Sequence, residues 1–145
     1  QTGSFLEETF RSFFPDSSLI ALPHEELDLS QTEKIRPCLL QFGKIDGIIN
    51  AAAYTAVDLA EKERDKSEKI NHIAVRELAG VAKENDAWIV HFSTDYVYEG
   101  LGSTPQDEST PIHPLNYYAE TKARGDDAII ALNPKHLIFR TSWVY

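Results

Sequence analysis

The sequence predicts an α/β protein with a doubly wound parallel sheet, and three observations support this fold class. Four short runs are almost entirely apolar and rich in Ile and Val, as is typical of strands buried on both faces. Segments with a helical spacing of apolar residues lie between these runs. Strands and helices therefore alternate, which indicates βαβ units with right-handed crossovers. The predicted strands are Ser18–Leu22, Asp46–Asn50, Ala87–Ser93 and His136–Ser142.

Two helices are predicted in the first third of the chain. The segment "SFLEETFRSFF" places Phe5, Thr9 and Phe13 on one stripe, and Pro15 stops the helix because proline cannot continue it. The segment "TEKIRPCLLQF" is also helix-like but contains Pro37 in its interior. Because proline removes one helical hydrogen bond, we expect a kink or a late helix start there.

The most regular helical pattern is "EKINHIAVRELAGVAKEND", which Asn85–Asp86 should end. Its shared apolar face consists of Ile70, Ile73, Ala74, Leu78 and Val81. A last helix is predicted roughly from Leu115 to Ala131. The long irregular segment Asp95–Pro114 lies before it, and irregular segments of that length in compact domains are usually functional or disordered.

The two ends of the chain predict a cropped domain. "QTGSF" leads directly into a helix, whereas a strand precedes the glycine turn of a dinucleotide-binding unit and occupies the centre of its sheet. Without that strand, the predicted strands at Ser18 and Asp46 would each expose an edge. At the other end, "RTSWVY" follows directly on a buried-type strand. We therefore expect the first strand to be absent from this chain.

Composition limits the classes of partner. Acidic residues outnumber basic ones 23 to 14, for a formal net charge of −9, which argues against nucleic acid because phosphate backbones need clustered Lys and Arg. No apolar run reaches the roughly 18 residues of a membrane span. The lone Cys38 cannot form an internal disulfide and has no neighbours that suggest a metal site. A reducing, cytoplasmic location is therefore expected.

"NYYAETK" contains a tyrosine and a lysine at helical spacing. Tyr118 and Lys122 are four residues apart and share a helix face, whereas Tyr117 points about 100° away. A nearby ammonium favours the phenolate and lowers a tyrosine pKa, so Tyr118 is a candidate general acid or base. The alternative is an ordinary solvated helix face.

Three further signals fall at strand ends or helix starts. Ser93 and Thr94 follow one buried strand, and Asn50 with the small residues Ala51–Ala53 follows another. Gly3 opens the first helix, where backbone N–H groups can bind a pyrophosphate. Strand-end capping and close helix–strand packing are the alternatives. Because ligands of open α/β sheets bind at the carboxyl ends of strands, all these signals should face one crevice.

Four motifs together resemble a known family. They are "NAAAYTAVDLAE", "STDYVYEG", "PLNYYAETK" and "HLIFRTSWVY", in this order along nearly the whole chain. The chain resembles the extended short-chain dehydrogenase/reductases and, within them, the dTDP-4-dehydrorhamnose reductase family. The resemblance implies that residues 1–145 are a partial, Rossmann-like NAD(P)-binding domain without its C-terminal substrate domain. It also implies NAD(P)H-dependent reduction of the C4 ketone of dTDP-4-dehydro-L-rhamnose.

The resemblance implies a role for each catalytic residue. Tyr118 would protonate the ketone oxygen, Lys122 would lower the tyrosine pKa and hold the nicotinamide ribose, and Thr94 would polarise the carbonyl. Asp95 and Trp143 match positions that contact the sugar nucleotide. The implied cofactor contacts, besides Tyr118 and Lys122, are Gly3, Ser4, Phe5, Asp28, Leu29, Ala53, Tyr54, Thr55 and Phe92.

Two features bear on the cofactor. The third glycine of the family's turn falls at Leu6, which does not allow the same close helix–strand approach. The position that discriminates the ribose lies about 20 residues past the turn, near Pro23–Glu26. Glu25 and Glu26 would repel a 2′-phosphate there, which favours NADH over NADPH, although a protonated His24 would favour the phosphate. The expected assembly is a homodimer.

Two other functions stay open. One is a catalytically silent NADP-binding subunit, like the regulatory β subunit of methionine adenosyltransferase; the Thr94–Tyr118–Lys122 set argues against it. The other is a nucleotide-sugar epimerase or dehydratase of the same superfamily. Dehydratases need an acidic pair beside the threonine, whereas Asp95 is followed here by Tyr96.

Overall fold

The computed structural model describes residues 2–100 and 105–142, with side chains from residue 5 onward. Helices and parallel strands alternate along most of this part of the chain. The helices are α1 (Thr2–Phe13), α2 (Thr32–Leu40), α3 (Val57–Ala60), α4 (Arg64–Glu68), α5 (Ala74–Glu84) and α6 (Tyr117–Leu132). The strands are β1 (Gly47–Asn50), β2 (Trp88–Thr94) and β3 (His136–Thr141). A π-helical turn, Lys69–Ile73, joins α4 to α5, and a 3₁₀ turn, Asp95–Val97, follows β2.

The sheet has the order β1-β2-β3, and both strand pairs are parallel. Asn50 is in register with His91, and Thr94 is in register with Thr141. The last three predicted strands are therefore confirmed, with bounds that differ by one residue at most. Their carboxyl ends lie at one edge of the sheet, and Asn50 and Thr94 are the last residues of their strands.

The predicted strand at Ser18–Leu22 is wrong for the described structure. These residues belong to no helix or strand, and the Ile20 side chain is 52% exposed. A run with strand composition becomes a strand only where its backbone N–H and C=O groups pair with a neighbour. Within residues 2–100 and 105–142, no strand pairs with this run. The composition of this run favours a strand conformation, but it does not indicate whether a neighbouring strand is available to pair with it.

Helix α2 runs through Pro37 and begins five residues before it, so the late start is wrong. Pro37 lies on the exposed side of the helix, whereas Ile35 and Leu39 are buried. The missing N–H of the proline therefore falls on the side that faces solvent, where its loss costs less.

The main core packs α2 and α5 against the sheet. Its members include Ile35 and Leu39 of α2, Val75 and Val81 of α5, and Ile89 of β2. Helix α5 ends as predicted at Asn85–Asp86. Asp86 has a left-handed backbone (φ 56°), and the Ala87 N–H reaches back to the Ala82 carbonyl at 2.8 Å, which closes the helix end.

Helix α6 packs closely on the π-helical turn. A Cβ on Gly125 would lie 2.3 Å from the Asn71 carbonyl oxygen, so only glycine allows this approach. The Ser67 and Thr121 hydroxyls are 3.0 Å apart, and the Asn71 amide also donates to Thr121 at 3.3 Å. These contacts hold α6 against α4 and the π-helical turn.

Candidate active site

Thr94 and Tyr118 meet where β2 ends and α6 begins. The Thr94 hydroxyl accepts from the Tyr96 N–H at 3.2 Å and donates to an Asp95 carboxylate oxygen at 3.3 Å. Asn116 caps α6 by accepting from the Ala119 N–H at 2.8 Å, which orients the first turn of the helix. The Tyr118 phenol lies close enough to the Thr94 hydroxyl for that hydroxyl to lower its pKa. The structure therefore brings these two predicted residues together.

The Tyr118 ring is buried against the loop after β1. It packs with Tyr54 and Ala60, and the Tyr96 ring lies edge-on to it at a centroid distance of 6.1 Å. Burial raises the pKa of Tyr118, and the neighbouring Thr94 hydroxyl only partly opposes this change. Helical spacing predicted a lower pKa through Lys122, and for the free protein that direction is wrong.

Lys122 is almost fully buried, and its amino group lies against β2. Its Nζ donates to the Phe92 carbonyl at 2.6 Å and lies 3.2 Å from Nε2 of His91. Burial lowers the pKa of Lys122 to about 8, and only the Asp126 carboxylate opposes the change. A lysine in this setting titrates near the pH of most biochemical assays and can exchange protons.

Tyr117 lies in different surroundings from Tyr118. Its N–H donates to Glu61 at 2.8 Å, and its hydroxyl lies 3.5 Å from a Glu68 carboxylate oxygen. The Arg64 guanidinium sits 4.5 Å from the ring centroid. The prediction that the two tyrosines point in different directions is confirmed.

Sequence reasoning singled out Asn50 and Ser93 at strand ends but missed the polar cluster that they form behind Lys122. The other members are the buried His91 and Asp126 and the partly buried Arg140. The Asp126 carboxylate accepts from the Ser93 hydroxyl at 2.9 Å and from the Arg140 guanidinium at 3.2 Å. Burial raises the pKa of Asp126, while Ser93 and Arg140 lower it. The available signal was the spacing of Asp126, which lies one helical turn after Lys122 on the same face.

The predicted cofactor residues after β1 and in β2 lie beside this pair. Asn71 holds Tyr54 through both backbone groups, at 2.9 Å from the Tyr54 N–H and 3.0 Å from its carbonyl. Ala53 is half-buried and Thr55 is exposed. Phe92 stacks on Phe139 at 5.7 Å. Their roles in binding stay predictions.

The remaining residues predicted to bind the cofactor or the sugar nucleotide lie in different parts of the chain. Gly3 and Ser4 lie in the first turn of α1, and the Phe5 side chain is 69% exposed. Asp28 accepts from the Ser30 N–H at 2.8 Å, which lowers its pKa to about 2. Leu29 packs in the main core. Trp143 lies outside the described residues.

The described residues contain neither a group of metal ligands nor a membrane-spanning helix. No three His, Cys, Asp or Glu side chains group there as metal ligands. Nor does that part of the chain contain a helix that is long and apolar enough to cross a membrane.

Comparison with known proteins adds evidence from the whole chain. The chain is 43% identical over 149 residues to a dTDP-4-dehydrorhamnose reductase of Salmonella typhimurium strain LT2, covering 100% of this chain and 50% of the relative. It is 42% identical to the protein of that name from Escherichia coli K12, with the same coverage. The chain thus spans about half the length of the curated relatives it matches.

Solved structures have the same fold. A dTDP-4-dehydrorhamnose reductase from Clostridium acetobutylicum matches with a TM-score of 0.92 and 34% identity, covering 100% of this chain and 51% of that one. The enzyme of that name from Bacillus anthracis, solved in complex with NADP, matches with a TM-score of 0.91 and 34% identity over 100% and 50%. The family model described as "RmlD substrate binding domain" matches residues 1–145. The chain therefore belongs to the RmlD substrate-binding domain family.

Proposed function

We propose that the full-length protein containing this chain is an oxidoreductase that reduces the C4 ketone of dTDP-4-dehydro-L-rhamnose with NADH or NADPH. The placement of the Tyr118 phenol beside the Thr94 hydroxyl, with Lys122 one helical turn further on, carries this proposal. The names of relatives that are 42% and 43% identical over the whole chain support the substrate class.

The residues divide the reaction between proton transfer and orientation. Tyr118 donates its phenolic proton to the ketone oxygen, and Thr94 hydrogen-bonds the same oxygen and orients it. The raised pKa of Tyr118 keeps the phenol protonated, as a proton donor requires. Lys122 returns a proton to the tyrosine and binds the ribose hydroxyls. Asp95 and Trp143 contact the sugar nucleotide in this proposal.

The surroundings fit a nicotinamide cofactor. Ala51, Ala52 and Ala53 have only methyl side chains at the carboxyl end of β1, and Ala52 is exposed, so a flat ring can approach the backbone there. Tyr54 packs on Tyr118, so this loop borders the proposed proton donor. When bound, the reduced nicotinamide supplies the hydride that C4 accepts.

The test is NADH or NADPH oxidation by the full-length protein with dTDP-4-dehydro-L-rhamnose, followed at 340 nm with product analysis. Turnover to dTDP-L-rhamnose is expected. Cofactor binding without turnover of this substrate would contradict the proposal and favour a silent binding subunit. Turnover of a different nucleotide sugar to an epimer or a dehydrated product would place the protein elsewhere in the superfamily.

A further inference from the structure

The orientation of the Asn50 side-chain amide is determined by its neighbours. Its Oδ1 lies 3.2 Å from the Ala52 backbone N–H, which can only donate, so this atom must be the amide oxygen. The amide NH₂ group therefore faces Nδ1 of His91, at 3.0 Å. Because an NH₂ group only donates, Nδ1 of His91 must accept and carries no proton.

The proton of the neutral His91 ring is therefore on Nε2. Burial lowers the pKa of His91 to about 3, so the ring is neutral near pH 7. A second observation supports the same tautomer. Oδ1 of the fully buried Asp126 has no hydrogen-bond partner among the described residues, and it lies 3.8 Å from His91 Nε2. An N–H at Nε2 faces this carboxylate favourably, whereas a lone pair would be repelled by it.

This tautomer bears directly on Lys122, whose Nζ is 3.2 Å from the same Nε2 atom. An ammonium group has three donors and no acceptor, so it cannot pair with an N–H. A neutral amine has a lone pair and can accept that N–H. The Phe92 carbonyl is the other polar contact of Nζ in the described structure. A single acceptor leaves two of the three N–H groups of a buried ammonium without a hydrogen bond, which disfavours the charged form.

We propose that Asn50 and His91 are positioning residues for Lys122. Together they present an N–H rather than a lone pair to its amino group, and so shift that group toward the neutral amine relative to an exposed lysine. The inference assigns a role within the proposed function, and it rests on that function only for its consequence in catalysis. A lysine that titrates near pH 8 can take up a proton when ligands bind and release it to Tyr118.

The other titratable groups around Lys122 differ in whether they favour its ammonium or its neutral amine. Asp126, one turn along α6, favours the ammonium, but the Arg140 guanidinium from β3 already pairs with that carboxylate at 3.2 Å. Tyr118 lies one turn before Lys122 and is neutral because its pKa is raised. His91 is thus the group from β2 whose protonation state and tautomer decide the local balance.

The test uses nuclear magnetic resonance on the ligand-free, full-length protein and needs no turnover. Long-range ¹H–¹⁵N couplings of the His91 ring should show the proton on Nε2. The Cε signal of Lys122, assigned by its loss in Lys122→Met, should titrate near pH 8.

In Asn50→Asp, the carboxylate still accepts from Ala52 and now also accepts from Nδ1–H. The His91 proton should then move to Nδ1, and the Lys122 midpoint should rise by about 1 pH unit or more.

Asn116→Asp is the matched control, because it adds the same charge at the start of α6 and keeps the cap on Ala119. It should leave the His91 tautomer unchanged and move the Lys122 midpoint less. A wild-type His91 proton on Nδ1, or a Lys122 midpoint near 10.5, would overturn the inference even if Asn50→Asp does not fold. Absence of sugar-nucleotide turnover with the expected tautomer and midpoint would overturn only the proposed function.

Discussion

The Tyr118 phenol, at the start of α6, lies beside the Thr94 hydroxyl, at the end of β2. The Asn116 cap orients the helix turn that carries Tyr118. The Thr94 hydroxyl is held by the hydrogen bond that it accepts from the Tyr96 N–H. Because local contacts already restrain each side chain, the two need little reorganisation to bind the same substrate oxygen. This geometry makes the two tyrosines of "NYYAETK" experimentally distinguishable.

Replacing Tyr118 with Phe should reduce kcat by at least about a hundredfold, because the proposed proton donor is lost while the ring that packs on Tyr54 remains. The dissociation constant for the reduced cofactor should change little. Tyr117→Phe is the control, since the Tyr117 hydroxyl meets Glu68 and not Thr94. Stopped-flow kinetics and cofactor fluorescence measure both quantities, and equal losses in the two variants would refute the assignment.

Cofactor affinity should depend on pH through Lys122. Its pKa in the free protein is about 8, so the ammonium is lost as the pH rises through that value. If the ammonium donates to the ribose hydroxyls, affinity is constant below about pH 7 and falls by up to about tenfold per pH unit above pH 8. Fluorescence titrations from pH 6 to 10 measure this dependence. Lys122→Arg, which stays charged, should bind with a flat profile, and a sloping profile in that variant would contradict the explanation.

The sequence predicted well what depends on local pattern. The strands β1, β2 and β3, the end of α5 at Asn85–Asp86 and the separation of Tyr117 from Tyr118 all follow from hydrophobic periodicity, capping or helical spacing. The strand at Ser18–Leu22 was wrong because a strand also needs a paired neighbour, which composition does not encode.

The site was harder to predict because its electrostatics depend on burial. Spacing alone suggested that Lys122 lowers the pKa of Tyr118, but the lysine turns to the Phe92 carbonyl and the tyrosine ring is buried. In the sequence, His91 is one position within the largely apolar run of β2. Its contacts with Asn50 and Lys122 cross 41 and 31 residues of sequence, so no local pattern could indicate them.

Two helical glycines should respond oppositely to alanine. A Cβ at Gly125 would lie 2.3 Å from the Asn71 carbonyl oxygen, so Gly125→Ala must shift α6 and should lower the free energy of unfolding by about 1–3 kcal/mol. At Gly80 the nearest atom to an added Cβ belongs to the flexible Arg36 side chain, at 3.5 Å. Gly80→Ala should therefore raise the free energy of unfolding by about 0.5–1 kcal/mol. Urea unfolding decides both signs, and stabilisation by Gly125→Ala would contradict the close approach.

His91 should make stability depend on acidity. Its pKa falls from an ordinary 6.5 to about 3 on burial, so between these values the unfolded chain binds a proton that the folded protein does not. The free energy of unfolding should therefore decrease as the pH falls through this range, by up to about 1.4 kcal/mol per pH unit from this group. Urea unfolding at several pH values should show a shallower decrease for His91→Gln. The same change at the exposed His113 is the control, and an equal effect there would contradict the assignment.

The choice between NADH and NADPH should be sensitive to two exposed carboxylates. Glu25 and Glu26 lie in a turn closed by the Glu26 and Leu27 N–H groups on the Pro23 carbonyl, both at 3.0 Å, and both side chains are exposed. If the adenine ribose binds beside this turn, their charges repel a 2′-phosphate and the protein prefers NADH.

Reversing both charges, in Glu25→Lys/Glu26→Lys, should raise the ratio of kcat/KM for NADPH over NADH by roughly five- to tenfold, and the gain should shrink with added salt because exposed charges are screened. Asp127→Lys, on the exposed side of α6, changes the net charge in the same direction without approaching the turn and should leave the ratio unchanged. If the wild-type protein prefers NADPH and the double reversal leaves the ratio of kcat/KM unchanged, a different segment of the chain determines the preference for the 2′-phosphate. The salt dependence separates a local electrostatic effect from a change in the shape of the turn, because only the former weakens as ionic strength rises.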